Sequence, residues 1–224
     1  MENALGTGDY RYGACTVRQE NGSRITNFTY VSHCIFEGKR SIEPLPATYV
    51  EEEKEASTLE ITLHDDVMDT DLLLSYTIYE ELPVLTRHAR FDHHGREEIV
   101  LMMAMSGAVD LPDCDYEMIQ LSGAWSRERY LKRRPLEQGI QSIYSMRGIS
   151  SAEHNPFLAL ARKEATEKKR PGIWLQPCVQ RKLFRPGGGL LPAAMIRPAG
   201  ISMSLIFQGR KSLPMQGSLI LSGI

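Results

Sequence analysis

Paired carboxylates are what general acid–base chemistry needs, and Asp65-Asp66 and the run Glu51-Glu52-Glu53 supply them. Adjacent like charges more commonly mark a solvated turn, which is the expectation for both groups. His93-His94 beside Asp92, and His64 beside Asp65, offer the donor types of a metal site. Neighbours on a strand point to opposite faces and rarely share an ion, so these read as loop residues and no metal is expected. Ser150, Ser151 and His154 outline a nucleophile with its base, but no Gly-x-Ser-x-Gly elbow accompanies them. Cys15, Cys34, Cys114 and Cys178 form no CxxC pair and have no histidines at ligand spacing, so free thiols are expected. These groups give no catalytic residue and no cofactor site.

The stretch Leu121–Arg134 is different, with Trp125 and Tyr130 set among Arg127, Arg129, Lys132, Arg133 and Arg134. Cations interleaved with aromatics suit phosphate contact and base stacking. The charge distribution opposes a nucleic-acid partner, because all 28 acidic residues fall in positions 1–169 and leave that part at −9, while the remainder carries +7. The stretch does not alternate cleanly and is expected to leave the sheet as a functional loop.

Short segments with period-2 alternation, separated by Gly, Asn, Asp or Pro, must position these residues, and they indicate antiparallel sheet. Asn21-Gly22 signals a type I′ turn and predicts a first hairpin between Cys15–Glu20 and Arg24–Phe36. Leu59, Ile61 and Leu63 alternate with polar neighbours, as do Leu72, Leu74, Tyr76 and Ile78, so each strand should have one wet face. His93-His94-Gly95 predicts another hairpin between Val84–Phe91 and Glu98–Ser106. From Arg170 onward prolines and glycines crowd together, including Gly187-Gly188-Gly189, and poor sheet is expected. With 224 residues, 42% of them hydrophobic, one sizeable core is possible. No basic, apolar leader and no run of eighteen apolar residues is present, so a cytoplasmic chain without a membrane partner is expected.

In order, Gly8-Asp9-Tyr10-Arg11, Asn21-Gly22-Ser23-Arg24, Leu45-Pro46-Ala47-Thr48-Tyr49, Thr58-Leu59-Glu60-Ile61, Leu121–Arg129 (LSGAWSRER), Arg147-Gly148, Ser150-Ser151 and Asn155-Pro156-Phe157 stand along positions 8–165. This series resembles the N-terminal domain of family 36 glycoside hydrolases, the α-galactosidases. The resemblance implies an all-β fold, an antiparallel β-sandwich (supersandwich) over 1–169, incomplete at both ends, with a disordered tail at 170–224. It also implies an enzyme that hydrolyses terminal α-linked galactose, as in melibiose and raffinose, with retention of configuration and two aspartates. Both aspartates belong to a barrel that needs about 250 residues of its own. The chain alone is therefore expected to be inactive, with the barrel and a homo-oligomer as partners in the intact family. A free-standing carbohydrate-binding or structural module is the competing reading.

The resemblance further implies a substrate-binding role for Trp125, whose counterpart sits on a loop reaching the galactose pocket, often that of a neighbouring subunit. The flat indole suits a sugar's apolar C–H face. Arg127 and Arg129 flank it as candidates for touching hydroxyls, with a salt bridge to Glu128 as the alternative; a tryptophan of arbitrary origin would be core. After Asn155-Pro156-Phe157 the family continues with text like VYGFSLVYSGNF, where this chain has Gly172-Ile173-Trp174-Leu175-Gln176-Pro177-Cys178. Sliding the frame of plausible codons yields text like Gly172–Gly189, so a frameshift after about residue 169 is expected.

Overall fold

A computed structural model describes residues 14–41, 48–105, 110–111, 113–137, 141–143, 152–166, 172–177, 193–197, 201–207 and 216–223. The Gly8–Arg11, Leu45–Ala47 and Arg147–Ser151 motifs, Cys178 and Gly187–Gly189 lie outside these residues. The described elements are antiparallel strands and one 3-10 turn at Glu53–Glu55. In chain order the strands are β1 (Cys15–Arg18), β2 (Thr29–Glu37), β3 (Ala56–Asp65), β4 (Thr70–Tyr79), β5 (Val84–His93), β6 (Val100–Met105), β7 (Asp110–Leu111) and β8 (Glu117–Ala124). They continue with β9 (Arg127–Pro135), β10 (Gln141–Ile143), β11 (His154–Ala161), β12 (Gly172–Pro177), β13 (Ala193–Arg197), β14 (Ile201–Phe207) and β15 (Gln216–Gly223). A six-stranded sheet runs β1-β6-β14-β13-β10, with β7 on β14, and a nine-stranded sheet runs β2-β3-β4-β5-β15-β12-β11-β8-β9. The all-β antiparallel expectation holds. Among the described residues no helix is long and apolar enough to cross a membrane.

The alternation in β3 to β5 sets the core. Leu63 pairs with Leu72 and Leu72 with Phe91; one step along, Ile61 pairs with Leu74 and Leu74 with Ala89. These side chains share one face, where Leu72, Leu74 and Ala89 are buried and Phe28, Ile61, Leu63, Tyr76 and Phe91 pack around them. Phe28 meets Phe91 edge-on at 6.1 Å between ring centroids, a favoured aromatic geometry. Cover thins toward the far end of β4, where Ile78 is 56% exposed.

Neither predicted hairpin forms. A turn does occur at Asn21-Gly22, where Gly22 takes φ +83°, Gln19 N donates to Ser23 O at 2.9 Å and Ser23 N donates to Asn21 Oδ1 at 2.8 Å. Asn21 keeps negative φ, so the turn is not type I′. The chain then crosses between sheets: β1 pairs with β6, while β2 pairs with β3. The His93–Gly95 break likewise separates β5 in the larger sheet from β6 in the smaller.

Beyond residue 170 the described residues are strands that join both sheets. Four strands from this segment take interior positions, with β15 between β5 and β12, and β13 and β14 between β10 and β6. Ile201, Met203 and Leu205 alternate with serines, and Leu219-Ile220-Leu221 is a short apolar run. Both patterns support strand despite the surrounding Gly and Pro.

Asp65 departs from the solvated turn expected for it. It is 1% exposed, whereas the Asp66 side chain is 90% exposed, so only Asp66 belongs to a solvated turn. Asp65 accepts hydrogen bonds from Asn27 N at 2.6 Å and from Val67 N and Met68 N at 3.0 Å each. One carboxylate thus ties the chain entering β2 to the β3–β4 turn. Nearby Cys15 is a buried free thiol, with its pKa pushed up to about 12 by burial and then by the charge of Asp65. Replacing a carboxylate that accepts buried backbone donors costs roughly 2–4 kcal/mol. Chemical denaturation followed by circular dichroism should therefore show Asp65→Asn losing about that much stability and Asp66→Asn staying within about 0.5 kcal/mol.

Candidate functional site

The Leu121–Arg134 stretch does not leave the sheet. It forms the β8–β9 hairpin at one edge of the nine-stranded sheet, with Trp125 and Ser126 as its two-residue tip between paired Ala124 and Arg127. Trp125 is 87% exposed, so the core reading for it fails. Arg127 and Arg129 are exposed as well. The register shifts between Ser122 and Ala124, so that Gly123 alone faces Glu128 and Arg129. That is a β-bulge, which bends the strand and re-aims its side chains. Ser126 and Arg129 take φ of +62° and +61°, in the left-handed region that side chains other than glycine's disfavour.

Gly123 makes the bulge possible. A Cβ there would lie 2.1 Å from the Arg127 carbonyl oxygen and 2.9 Å from the Glu128 Cα, both backbone atoms that cannot swing away. Its N–H donates across the sheet to the Glu153 carbonyl at 3.3 Å, linking the hairpin to the start of β11.

The base of the hairpin is clamped by two cations, of which Arg133 belongs to the group that the sequence offered as a possible phosphate surface. Arg133 pairs with Glu117 and donates to the carbonyls of Arg162 at 2.7 Å, Lys163 at 3.0 Å and Ala165 at 3.2 Å. Arg162 grips Asp113 through two bonds of 2.5 and 2.9 Å and stacks over Tyr116 at 3.9 Å. That pairing holds the Arg162 guanidinium above its ordinary pKa and lowers that of Asp113. Arg134 is half-buried, with Nη2 3.9 Å from Met118 Sδ. These interactions give Arg133 and Arg134 structural roles.

Between the hairpin and the start of β11 lies an open cleft of about 580 Å³. Its floor follows one cross-strand row, because His154 pairs with Ser122 and Ser122 with Tyr130. Arg127, Lys132 and Glu153 complete the lining. Burial lowers the His154 pKa and Lys132 and Arg134 lower it further, against the opposing charge of Glu153. Sequence reading missed this grouping, because the row joins residues far apart in the chain through three strands.

The other candidates are resolved as structure. Glu51–Glu53 are exposed. His64 and His93 are strand residues rather than loop residues, and the structure brings His64 and His94 together on Asp71: His64 Nδ1 lies 2.7 Å from Asp71 Oδ1 and His94 Nε2 3.1 Å from Oδ2. The hydrogen bond to Asp71 raises the His64 pKa, and its counterpart lowers that of Asp71. His93 instead contacts Thr70 Oγ1 at 2.9 Å and the Glu97 carbonyl at 2.8 Å. Ser150 and Ser151 lie outside the described residues, and His154 lines the cleft.

Residues 3–170 match the sequence model of the glycosyl hydrolase family 36 N-terminal domain. The chain is 49% identical over 164 residues to the α-galactosidase AgaA of Geobacillus stearothermophilus, covering 73% of this chain and 22% of that protein. In structure it resembles variants of the same enzyme solved in complex with raffinose and with stachyose, each at TM-score 0.81 and 38% identity, over 99% of this chain and 31% and 32% of theirs. It also resembles the α-galactosidase of Lactobacillus brevis, at TM-score 0.83 and 33% identity over 99% of this chain and 30% of that one. The chain thus spans under a third of the length of these relatives.

The exposure of Trp125 and the crowding at Gly123 predict opposite thermal behaviour for two neighbouring substitutions. Trp125→Ala should leave stability within about 0.5 kcal/mol, as for an exposed side chain. Gly123→Ala should cost more than about 2 kcal/mol, because overpacking against backbone forces the bulge open. Melting curves of the two variants beside the parent chain check both.

Proposed function

Because the chain belongs to glycosyl hydrolase family 36 as its N-terminal domain, we propose that it serves as the non-catalytic sandwich of an α-galactosidase and presents Trp125 to the sugar site of the assembled enzyme. The observation that carries this reading is an indole held 87% exposed on a two-residue tip. A soluble domain gains nothing for its own fold from such a residue. A sugar ring presents an apolar C–H face that an indole can cover, and the bulge at Gly123 fixes where the indole stands. Arg127, across from Ala124, and Arg129, in the bulge, carry donors suited to hydroxyls on either side. Raffinose and stachyose, the ligands of the Geobacillus relative, set the proposed substrate class: α-linked galactosides. Proposed partners are the catalytic barrel and further copies of the enzyme, whose neighbouring subunit would receive the tryptophan.

We also keep the frameshift reading for the segment beyond about residue 169. The family match stops at residue 170, and all acidic residues stop by then too. Sequencing the gene decides it: an alternative frame downstream of Lys169 should encode YSGNF-like text, and its absence from both frames defeats the idea.

The purified chain should release no chromophore from a chromogenic α-galactoside, whereas a form with the frame restored and the barrel included should. In that longer form Trp125→Ala should lower kcat/KM about tenfold, the size of one aromatic contact made with substrate, without changing the melting temperature. Activity in the short chain overturns the proposal.

A further inference from the structure

Imidazoles and carboxylates join three elements at one end of the larger sheet. Asp71, on β4, stands opposite His64 on β3 and accepts from its Nδ1 at 2.7 Å, while the second oxygen of the same carboxylate takes Nε2 of His94 at 3.1 Å. His94 opens the crossing that carries the chain from β5 to β6, and so from the larger sheet to the smaller. The crossing has further ties at this point. His94 N donates to Asp69 O at 2.9 Å, and the two ring nitrogens of His93 meet Thr70 Oγ1 at 2.9 Å and the Glu97 carbonyl at 2.8 Å. Gly95 lies against the β3–β4 turn, since a Cβ there would stand 2.9 Å from the Met68 carbonyl oxygen.

A carboxylate only accepts, so His64 Nδ1 and His94 Nε2 each bring a proton to Asp71. The other nitrogen of His64, Nε2, faces Asp66 Oδ1 at 3.6 Å. A neutral ring sets a lone pair toward that second carboxylate, whereas an imidazolium offers each carboxylate a proton. We propose that His64, Asp71 and His94 form a proton-operated latch on the crossing between the two sheets, closed while His64 holds both ring protons and loosened when the second one leaves. The latch needs neither a sugar nor a catalytic barrel, so it stands apart from the role proposed above. The charged groups around it are Asp66 and Asp69 on the turn, Asp92 on β5, which pairs with Asp71 in register and is bound by Arg90, and His93 beside His94. From β2, Thr29 brings a hydroxyl to the His64 carbonyl at 3.2 Å.

The hydrogen bond to Asp71 raises the His64 pKa, burial opposes it, and the charges of Asp71, Asp66 and Asp69 add to the rise. The contribution of His64 is therefore full below the ordinary imidazole range and is lost as pH rises through the higher folded value. The Asp71 pKa is lowered, first by its bond from His64, so its share is present above the ordinary carboxylate range and is lost only as pH falls through the lower folded value. Between those limits, at mildly acidic pH, the latch is closed. Bonds in which one partner is charged are stronger than neutral ones, which is what the crossing gives up toward alkaline pH.

The test is amide hydrogen exchange of the full 224-residue chain, read by mass spectrometry over the crossing from His94 to Ile99 and expressed as protection factors. Protection at pH about 6 should exceed that at pH about 8 by about two- to fivefold, the range of a solvent-exposed charge pair. His64→Asn keeps a donor for Asp71 but takes no second proton, so it should remove the difference. Asp66→Asn, at an exposed side chain, should shrink it. Equal protection at both pH values overturns the latch, as does protection that rises with pH. An undiminished difference in folded His64→Asn overturns it too, and if that variant does not fold, an undiminished difference in Asp66→Asn decides in the same way.

Discussion

Two strands placed in the middle of the larger sheet hold its halves together. β15 pairs with β5 over seven residues and with β12 over five, and β12 pairs with β11 over four. Without them β2–β5 would be one sheet and β8, β9 and β11 another, each with an open row of backbone donors and acceptors. Buried backbone groups must be paired, and exposed edges invite association. The backbone ladder therefore depends on the segment whose composition looks least like sheet. A ladder asks of its members only extended backbone with N–H groups to give, so it tolerates sequence that a packed core would not. This is how a segment without acids and rich in Pro and Gly can occupy family positions where the family's sequence similarity has ended.

The hairpin inherits its place from that arrangement. β8 lies on β11 and β11 on β12, so the position of Trp125 is fixed by a chain of pairings running back to the sheet centre. Two local devices refine it. Arg133 and Arg162 clamp the base of the hairpin to residues 162–165 through carbonyl and carboxylate bonds, and Gly123 admits the bulge that turns the tip. The clamp is the more tolerant device, because several bonds share the load. The bulge rests on the absence of a single carbon.

What the sequence shows and hides follows from the range of each signal. The alternation of Leu59, Ile61 and Leu63 with that of Leu72 and Leu74 is local, and it gives strands, register and core directly. Asn21-Gly22 and His93–Gly95 are also local, and they give chain reversals, but nothing in a turn says which sheet the next strand joins. In a sandwich the alternative to a hairpin is a crossing, and the choice lies with β6 and β3, far along the chain. The cleft is harder still to read. Ser122, Tyr130 and His154 are unremarkable types at unremarkable spacing, and only the pairing of three strands sets them in one row.

Asp65 and Asp66 show the same limit at the scale of one residue. Identical side chains on adjacent positions carry the same propensity and the same charge, so any reading by type must give them one fate. Asp65 closes β3 and Asp66 opens the turn that follows, and the outcome for each depends on what its side chain meets there. Toward the interior wait three backbone N–H groups that would otherwise be unpaired, and they offset the cost of taking the carboxylate out of water. Toward solvent nothing is required, and Asp66 stays wet. Trp125 follows the same logic with the sign reversed: a side chain whose type favours burial stands in water because the tip of a two-residue turn gives it no interior to enter.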